Sequence, residues 1–233
     1  MNWTLGVDTS SVDLGIGLYH NNEPVASYSR FVRNSHAEHI SNAVSLLLSA
    51  NSVKPSSIHH VAVSVGPGSF TGLRIGLSFV KGFCFGRTAH ILPVSSLEIL
   101  SYTAINHNGR VIAVIDARNN DVYFAAFNAQ NGIISRLSED KVDTIDNFKQ
   151  FISEFDIIVT DTMGYAKSTV FSSFSNQQKV LPVEKYHVQR GLYCAAVGAV
   201  NIDNKELWSG DTATILPNYI RGFTSHKSSK VTT

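Results

Sequence analysis

Short apolar runs divide the chain into strands and helices whose order repeats. Residues 4–8 form a continuous apolar strand ending on Asp8, residues 9–11 (Thr-Ser-Ser) form a tight turn, and residues 13–19 read as a second strand. After Asn21-Asn22 the stretch 24–31 is extended again, completing a three-stranded meander. A helical pattern over 37–49, a strand over 60–65, a glycine-rich loop, an apolar helix over 71–86 and a helical stretch over 95–105 follow, giving the order βββαβαα. The pattern then restarts. Residues 111–116 form a strand ending on Asp116, 117–120 a turn, 121–127 a second strand, and Gly132 opens a third. Asp8 and Asp13 recur as Asp116 and Asp121, both 108 residues on with no gap. Helical residues 145–153, a strand over 156–160 and a helix over 188–201 continue the parallel, without a second glycine loop. Such self-similarity predicts an α/β protein of two duplicated βββαβα lobes with a cleft between them. The expected division is 1–107 and 108–223, followed by a Ser/Thr/Lys-rich tail, 224–233, expected to be disordered.

The loop is Val65-Gly66-Pro67-Gly68-Ser69-Phe70-Thr71-Gly72-Leu73-Arg74-Ile75-Gly76. Gly66 and Gly68 permit positive φ, and Ser69 or Thr71 suits a helix cap. A strand-to-helix turn so bare of side chains presents amides and a helix dipole to an anion, or lets neighbouring backbone pack closely. The stock motifs fail. No Lys-Ser/Thr pair opens the helix, Gly72 comes one residue late for G-x-G-x-x-G, and Pro67 and Thr71 stand where a nucleophile elbow around Ser69 needs glycines. In the helix that follows, Leu73, Ile75, Leu77, Phe79, Val80, Phe83, Cys84 and Phe85 fall on every side, with Arg74 and Lys81 as the charges. An all-round apolar helix is either sandwiched or shared with a partner. Gly72 and Gly76, four apart on one face, predict close approach by a partner helix.

Composition narrows the classes. With 43% hydrophobic and 16% charged residues among 233, the chain is globular with room for real cores. A net charge of +1 gives no global field toward nucleic acid or a membrane, and no apolar run is long enough to cross a bilayer. Cys84 and Cys194 sit in apolar stretches, which fits buried thiols in a reducing compartment and a cytoplasmic protein. His36 and His39 share a helix start with no further ligand cluster in view, and the adjacent His59 and His60 would point to opposite sides of a strand. Neither pair predicts a metal.

Asp8-Thr9-Ser10, His36-x-Glu38, the glycine run, Asp116-Ala117-Arg118 and Pro217-x-Tyr219-Ile220-Arg221 together resemble the TsaB (YeaZ) family, over nearly the whole chain. The resemblance implies the actin-like ATPase (ASKHA) fold. It also implies a cytoplasmic, noncatalytic subunit that works with a homologous catalytic subunit, TsaD, and an ATPase, TsaE. Their product is threonylcarbamoyladenosine next to the anticodon of tRNAs reading codons that begin with A. The catalytic relative carries Asn-His-x-x-x-His after its glycine-loop helix; here Val94-Ser95-Ser96-Leu97-Glu98-Ile99-Leu100 stands instead, with Ser96 and Leu100 at the ligand positions. Neither replaces an imidazole. The expected partner interface is Gly72, Leu73, Ile75, Gly76, Phe79, Val80 and Phe83, with a homodimer through the same surface in isolation and tRNA reached through the complex. Asp8, Thr9, Ser10, Gly66, Gly68, Ser69 and Asp116 are the expected positions of a vestigial nucleotide site. There, ATP or ADP with magnesium is expected within the complex rather than on this chain alone, and Asp8 has the alternative of capping its own turn. The competing class is an independent small ATP-dependent kinase or ATPase using Asp8 or Asp116.

Overall fold

Two open sheets carry the chain, and both are built on one plan. The computed structural model describes residues 2–32, 35–153, 156–161, 179–182, 189–211, 214–218 and 220. The first sheet contains β1 (Trp3–Asp8), β2 (Asp13–His20), β3 (Glu23–Phe31), β4 (Ile58–Gly66) and β5 (His90–Ser95), in the order β3-β2-β1-β4-β5. β1 to β3 are antiparallel neighbours, and β4 and β5 run parallel to β1. The second sheet contains β6 (Gly109–Arg118), β7 (Asp121–Gln130), β8 (Ile133–Arg136), β10 (Ile157–Thr160) and β11 (Lys179–Pro182), in the order β8-β7-β6-β10-β11. Strand for strand the order repeats. β9 (Lys141–Thr144) pairs with the start of β7, Asp121–Phe124.

The register does not repeat. Gly6 faces Gly17 in the first hairpin, so the 108-residue offset would set Val114 opposite Ala125, yet Val114 faces Phe124. The turns explain the slip. Residues 9–12 separate β1 from β2, whereas Asn119 and Asn120 alone, at φ 53° and 65°, close the second hairpin. Three strands depart from the sequence pattern, namely β5, β9 and β11, so the first lobe runs βββαβαβα. β5 contains Pro93, which a sheet tolerates at its edge. Ile91 exchanges both backbone hydrogen bonds with Ser209 on that outer side, and Pro93, two residues on, has no N–H to leave unpaired there.

Five α-helices are described: α1 (His36–Ala50), α2 (Phe70–Cys84), α3 (Ser96–Ser101), α4 (Ile145–Phe151) and α5 (Arg190–Val200). α2 is an ordinary two-faced helix, contrary to the all-round apolarity of its sequence. Gly72, Leu73, Gly76, Leu77, Val80 and Cys84 are buried, Arg74 and Ser78 are exposed, and Phe85 lies beyond the helix end, 82% exposed.

The helices cross between the sheets. α3 follows β5 but buries Leu97 and Leu100 against Val111, Ala113 and Phe127 of the second sheet. α5 follows β11, and the repeat places it with the second lobe; it packs instead along β1 and β2 of the first sheet. Glycine makes that approach possible. A Cβ at Gly6 would stand 2.3 Å from the backbone of Gly191 and Ala195, one at Gly15 2.6 Å from Gly191 N, and one at Gly17 2.4 Å from Gly191 O and Leu192 Cα. Ile99 and Tyr102 then meet Cys194, Ala196 and Val197 in the layer between the sheets.

Candidate functional site

The β1–β2 turn, the glycine loop and the start of α5 converge on Asp8. This carboxylate ends β1 at 1% exposure. Its Oδ1 accepts a hydrogen bond from the Ser10 amide at 2.9 Å, the side-chain turn that an Asp-Thr-Ser sequence favours. Arg190, the first residue of α5, donates from Nε to Asp8 Oδ2 at 2.5 Å and from Nη2 to Ser10 Oγ at 2.7 Å. Burial alone would raise Asp8, but the Arg190 charge and hydrogen bonds from Ser64, Ser10 and Arg190 outweigh it and hold the carboxyl below its ordinary range. Burial likewise opposes the charge on Arg190, and Asp8 more than restores it. Asp13 is raised, with burial leading and the Arg190 charge partly offsetting it.

The same turn packs against the glycine loop. Ser69 caps α2, its Oγ accepting from the Gly72 amide at 3.2 Å, and the Ser69 amide donates to Ser10 O at 2.7 Å. Thr9 Oγ1 donates to Gly72 O at 2.8 Å. A Cβ at Gly68 would stand 2.4 Å from Ser10 O, one at Gly72 2.0 Å from Thr9 O, and one at Gly76 2.2 Å from Thr9 Oγ1. Gly66, at φ 127°, faces Asn218 O at 2.7 Å, and the Asn218 amide donates to Val65 O. The structure therefore brings together Asp8, Thr9, Ser10, Gly66, Gly68 and Ser69. Asp116 stays on its own hairpin, accepting from the Arg118 amide at 2.7 Å.

Gly72 and Gly76 thus face Thr9 of the same chain, which corrects the expectation that they receive a partner helix. Leu73 and Val80, 2% and 0% exposed, are likewise core residues. Of the expected interface, Ile75, Phe79 and Phe83 remain half-buried at the surface. Ile75 and Phe79 line a groove of about 510 Å³ between α1 and α2 with Ala37, Ile40, Ser41, Phe70, Thr71, Arg74 and Ser78. The Arg74 guanidinium lies 3.9 Å above the Phe70 ring, and Arg87 lies 4.7 Å above Phe83. This face is apolar with a basic margin.

Ser96 and Leu100 are both fully buried, and Leu100 is part of the core on the second sheet. His36 is buried at the start of α1, and His60 lies beside His90 with ring centroids 6.3 Å apart. Among the described residues no group of three or more His, Cys, Asp or Glu side chains is placed to hold a metal ion. Of the motif at 217–221, Tyr219 and Arg221 lie outside the described residues, as do Lys227, Lys230 and the rest of the tail. Arg190 is the residue that sequence reasoning missed. Its one signal is a lone charge opening the apolar run Arg-Gly-Leu-Tyr-Cys-Ala-Ala-Val.

A family model described as "TsaD: tRNA N6-adenosine threonylcarbamoyltransferase" matches residues 30–175, more than half of the chain. The tRNA threonylcarbamoyladenosine biosynthesis protein TsaB of Bacillus subtilis (strain 168) is 30% identical over 152 residues, 65% of this chain and 66% of that protein. The chain belongs to the TsaB/YeaZ family. Its alignment spans just under two thirds of that relative's length. The solved YeaZ from Pseudomonas aeruginosa superposes with a TM-score of 0.77 at 24% identity, covering 94% of this chain and 100% of that one. An activator of the 2-hydroxyisocaproyl-CoA dehydratase from Clostridium difficile, with bound ADPNP, superposes with a TM-score of 0.51 at 10% identity, over 88% of this chain and 97% of that one. These likenesses establish the actin-like, ASKHA-superfamily fold for this TsaB/YeaZ chain, with two open sheets. No described helix is long and apolar enough to cross a membrane.

Proposed function

We propose that this chain is a noncatalytic cytoplasmic subunit in the formation of threonylcarbamoyladenosine next to the anticodon of tRNAs reading codons that begin with A. It complexes with a TsaD-like catalytic homologue, acts with a TsaE-like ATPase, and meets tRNA through that complex. Its lobes are taken as 1–107 and 108–223. The observation that carries this reading is the α1–α2 face, where Ile75, Phe79 and Phe83 are incompletely covered beside the groove while Leu73, Leu77, Val80 and Cys84 of the same helix are committed to the core. Half-covered aromatic residues in a groove with basic margins suit the apolar core and polar rim of a protein interface. The buried Ser96 and Leu100 support a noncatalytic role, since neither side chain is a ligand for a catalytic metal.

Phe79→Glu tests the face, with Ile75→Glu as its neighbour. Both variants are expected to keep the unfolding midpoint within a few degrees and to lose capture of the TsaD-like subunit by at least tenfold in titration, about 1.4 kcal/mol. Undiminished binding by both folded variants would sink the assignment. Without that subunit the same face pairs two copies of the chain, and light scattering on dilution is expected to show dimers that Phe79→Glu abolishes.

A further inference from the structure

The fold is shared with a protein that holds ADPNP, and the side chains of this cleft do not fit such a ligand. A metal-bound nucleotide needs an accessible carboxylate whose charge is not already met, and loop amides with no other partner. Asp8 is 1% exposed and its charge is met by Arg190. Its Oδ1 takes the Ser10 amide and its Oδ2 takes Arg190 Nε. The Ser69 amide is given to Ser10 O, and Ser10 O and Thr9 O stand where a Cβ on Gly68 or Gly72 would be. Asp8 pairs with Arg190 directly, and Asp161 and Asp13 also favour its charge.

We infer that Arg190 has taken the place of a cation in this cleft: its guanidinium completes the Asp8 turn from within the chain, and the turn holds no metal-bound nucleotide. The arrangement fixes α5 as much as it closes the site. Arg190 opens that helix, and the next residue, Gly191, lies against the backbone of Gly15 and Ile16. Nη1 is buried without a hydrogen-bond partner among the described residues, so the fork serves the Asp8 turn through Nε and Nη2. A buried carboxylate left without its cation is strongly destabilising, and the chain supplies that cation itself. The inference goes beyond the subunit reading and does not depend on which partner the α1–α2 face takes.

The test uses the full chain as wild type, Arg190→Ala, Arg190→Lys and Asp8→Asn. Thermal unfolding of the wild type is expected to be unmoved by magnesium with ADP, and calorimetric titration with the same pair is expected to show no saturable heat. Arg190→Ala is expected to lower the midpoint on the order of 10 °C, with Arg190→Lys losing less. About 10 mM guanidinium chloride is expected to restore part of the Arg190→Ala loss where equal sodium chloride does not, because guanidinium refills the vacated position beside Asp8. Saturable wild-type binding of magnesium–ADP that Asp8→Asn abolishes would overturn the inference. So would an Arg190→Ala midpoint equal to that of the wild type. If Arg190→Ala does not fold, Arg190→Lys and the wild-type titration decide by the same criteria, and loss of partner binding by folded Phe79→Glu reports on the subunit reading separately.

Discussion

Asp8 shows how one side chain changes meaning with its surroundings. Asp8 ends β1 while its counterpart Asp116 lies two residues before the end of β6, and both carboxylates accept the amide two residues on. Only Asp8 is sealed at 1% exposure, and there the short turn is joined by Arg190. The pair ties stability to pH in a definite sense. Asp8 is held below its ordinary value of 3.8, so its contribution is complete above that value and is lost as pH falls through the lower, folded one. Arg190→Ala removes the charge that offsets burial, so Asp8 rises and its protonation then favours the folded form. Urea midpoints measured between about pH 3 and 7 are expected to show the gap between wild type and Arg190→Ala widest near neutrality and narrowing below about pH 5. A gap that stays constant over that range would mean Asp8 is not what the arginine compensates. Nothing local in the sequence announces this pair, because its members lie 182 residues apart.

Among the elements, α2 was half legible. Its two glycines four apart correctly signal that something approaches the backbone, but spacing does not say whether the visitor is another chain or a neighbouring turn. The visitor is Thr9, through its carbonyl at Gly72 and its hydroxyl at Gly76. Gly72→Ala is expected to cost about 1–3 kcal/mol in chemical denaturation with no relief from Thr9→Ala, because its Cβ meets backbone. Gly76→Ala meets a side-chain oxygen, so pairing it with Thr9→Ala should cost less than the two single changes added together. Simple additivity of that pair would break the assignment. The first meander and the helix before β4 were readable because apolar runs and turn residues agree there. β5 hid behind Pro93, and β9 is four residues long and mostly exposed, too short and too wet for a periodic signal. The apparent all-round apolarity of α2 came from counting Phe85, which is past the helix end, and from Ile75, Phe79 and Phe83, which are only half covered.

At the level of the molecule, the repeated strand order was visible as an offset of 108 residues, while the crossing of the helices was not, since a sequence repeat says nothing of which sheet a helix covers. α3 lies on the second sheet and α5 on the first, so each sheet is completed by a helix from beyond its own run of strands. A fragment of residues 1–107 therefore lacks α5 and leaves Asp8 without Arg190. It is expected to show no cooperative thermal transition by circular dichroism, whereas the full chain shows one. A sharp transition in the fragment alone would refute the dependence. The same crossing sets an order on synthesis. The strands of the first sheet are made well before α5, so the glycine-paved surface of β1 and β2 has no α5 to cover it until residues 190–200 have been made.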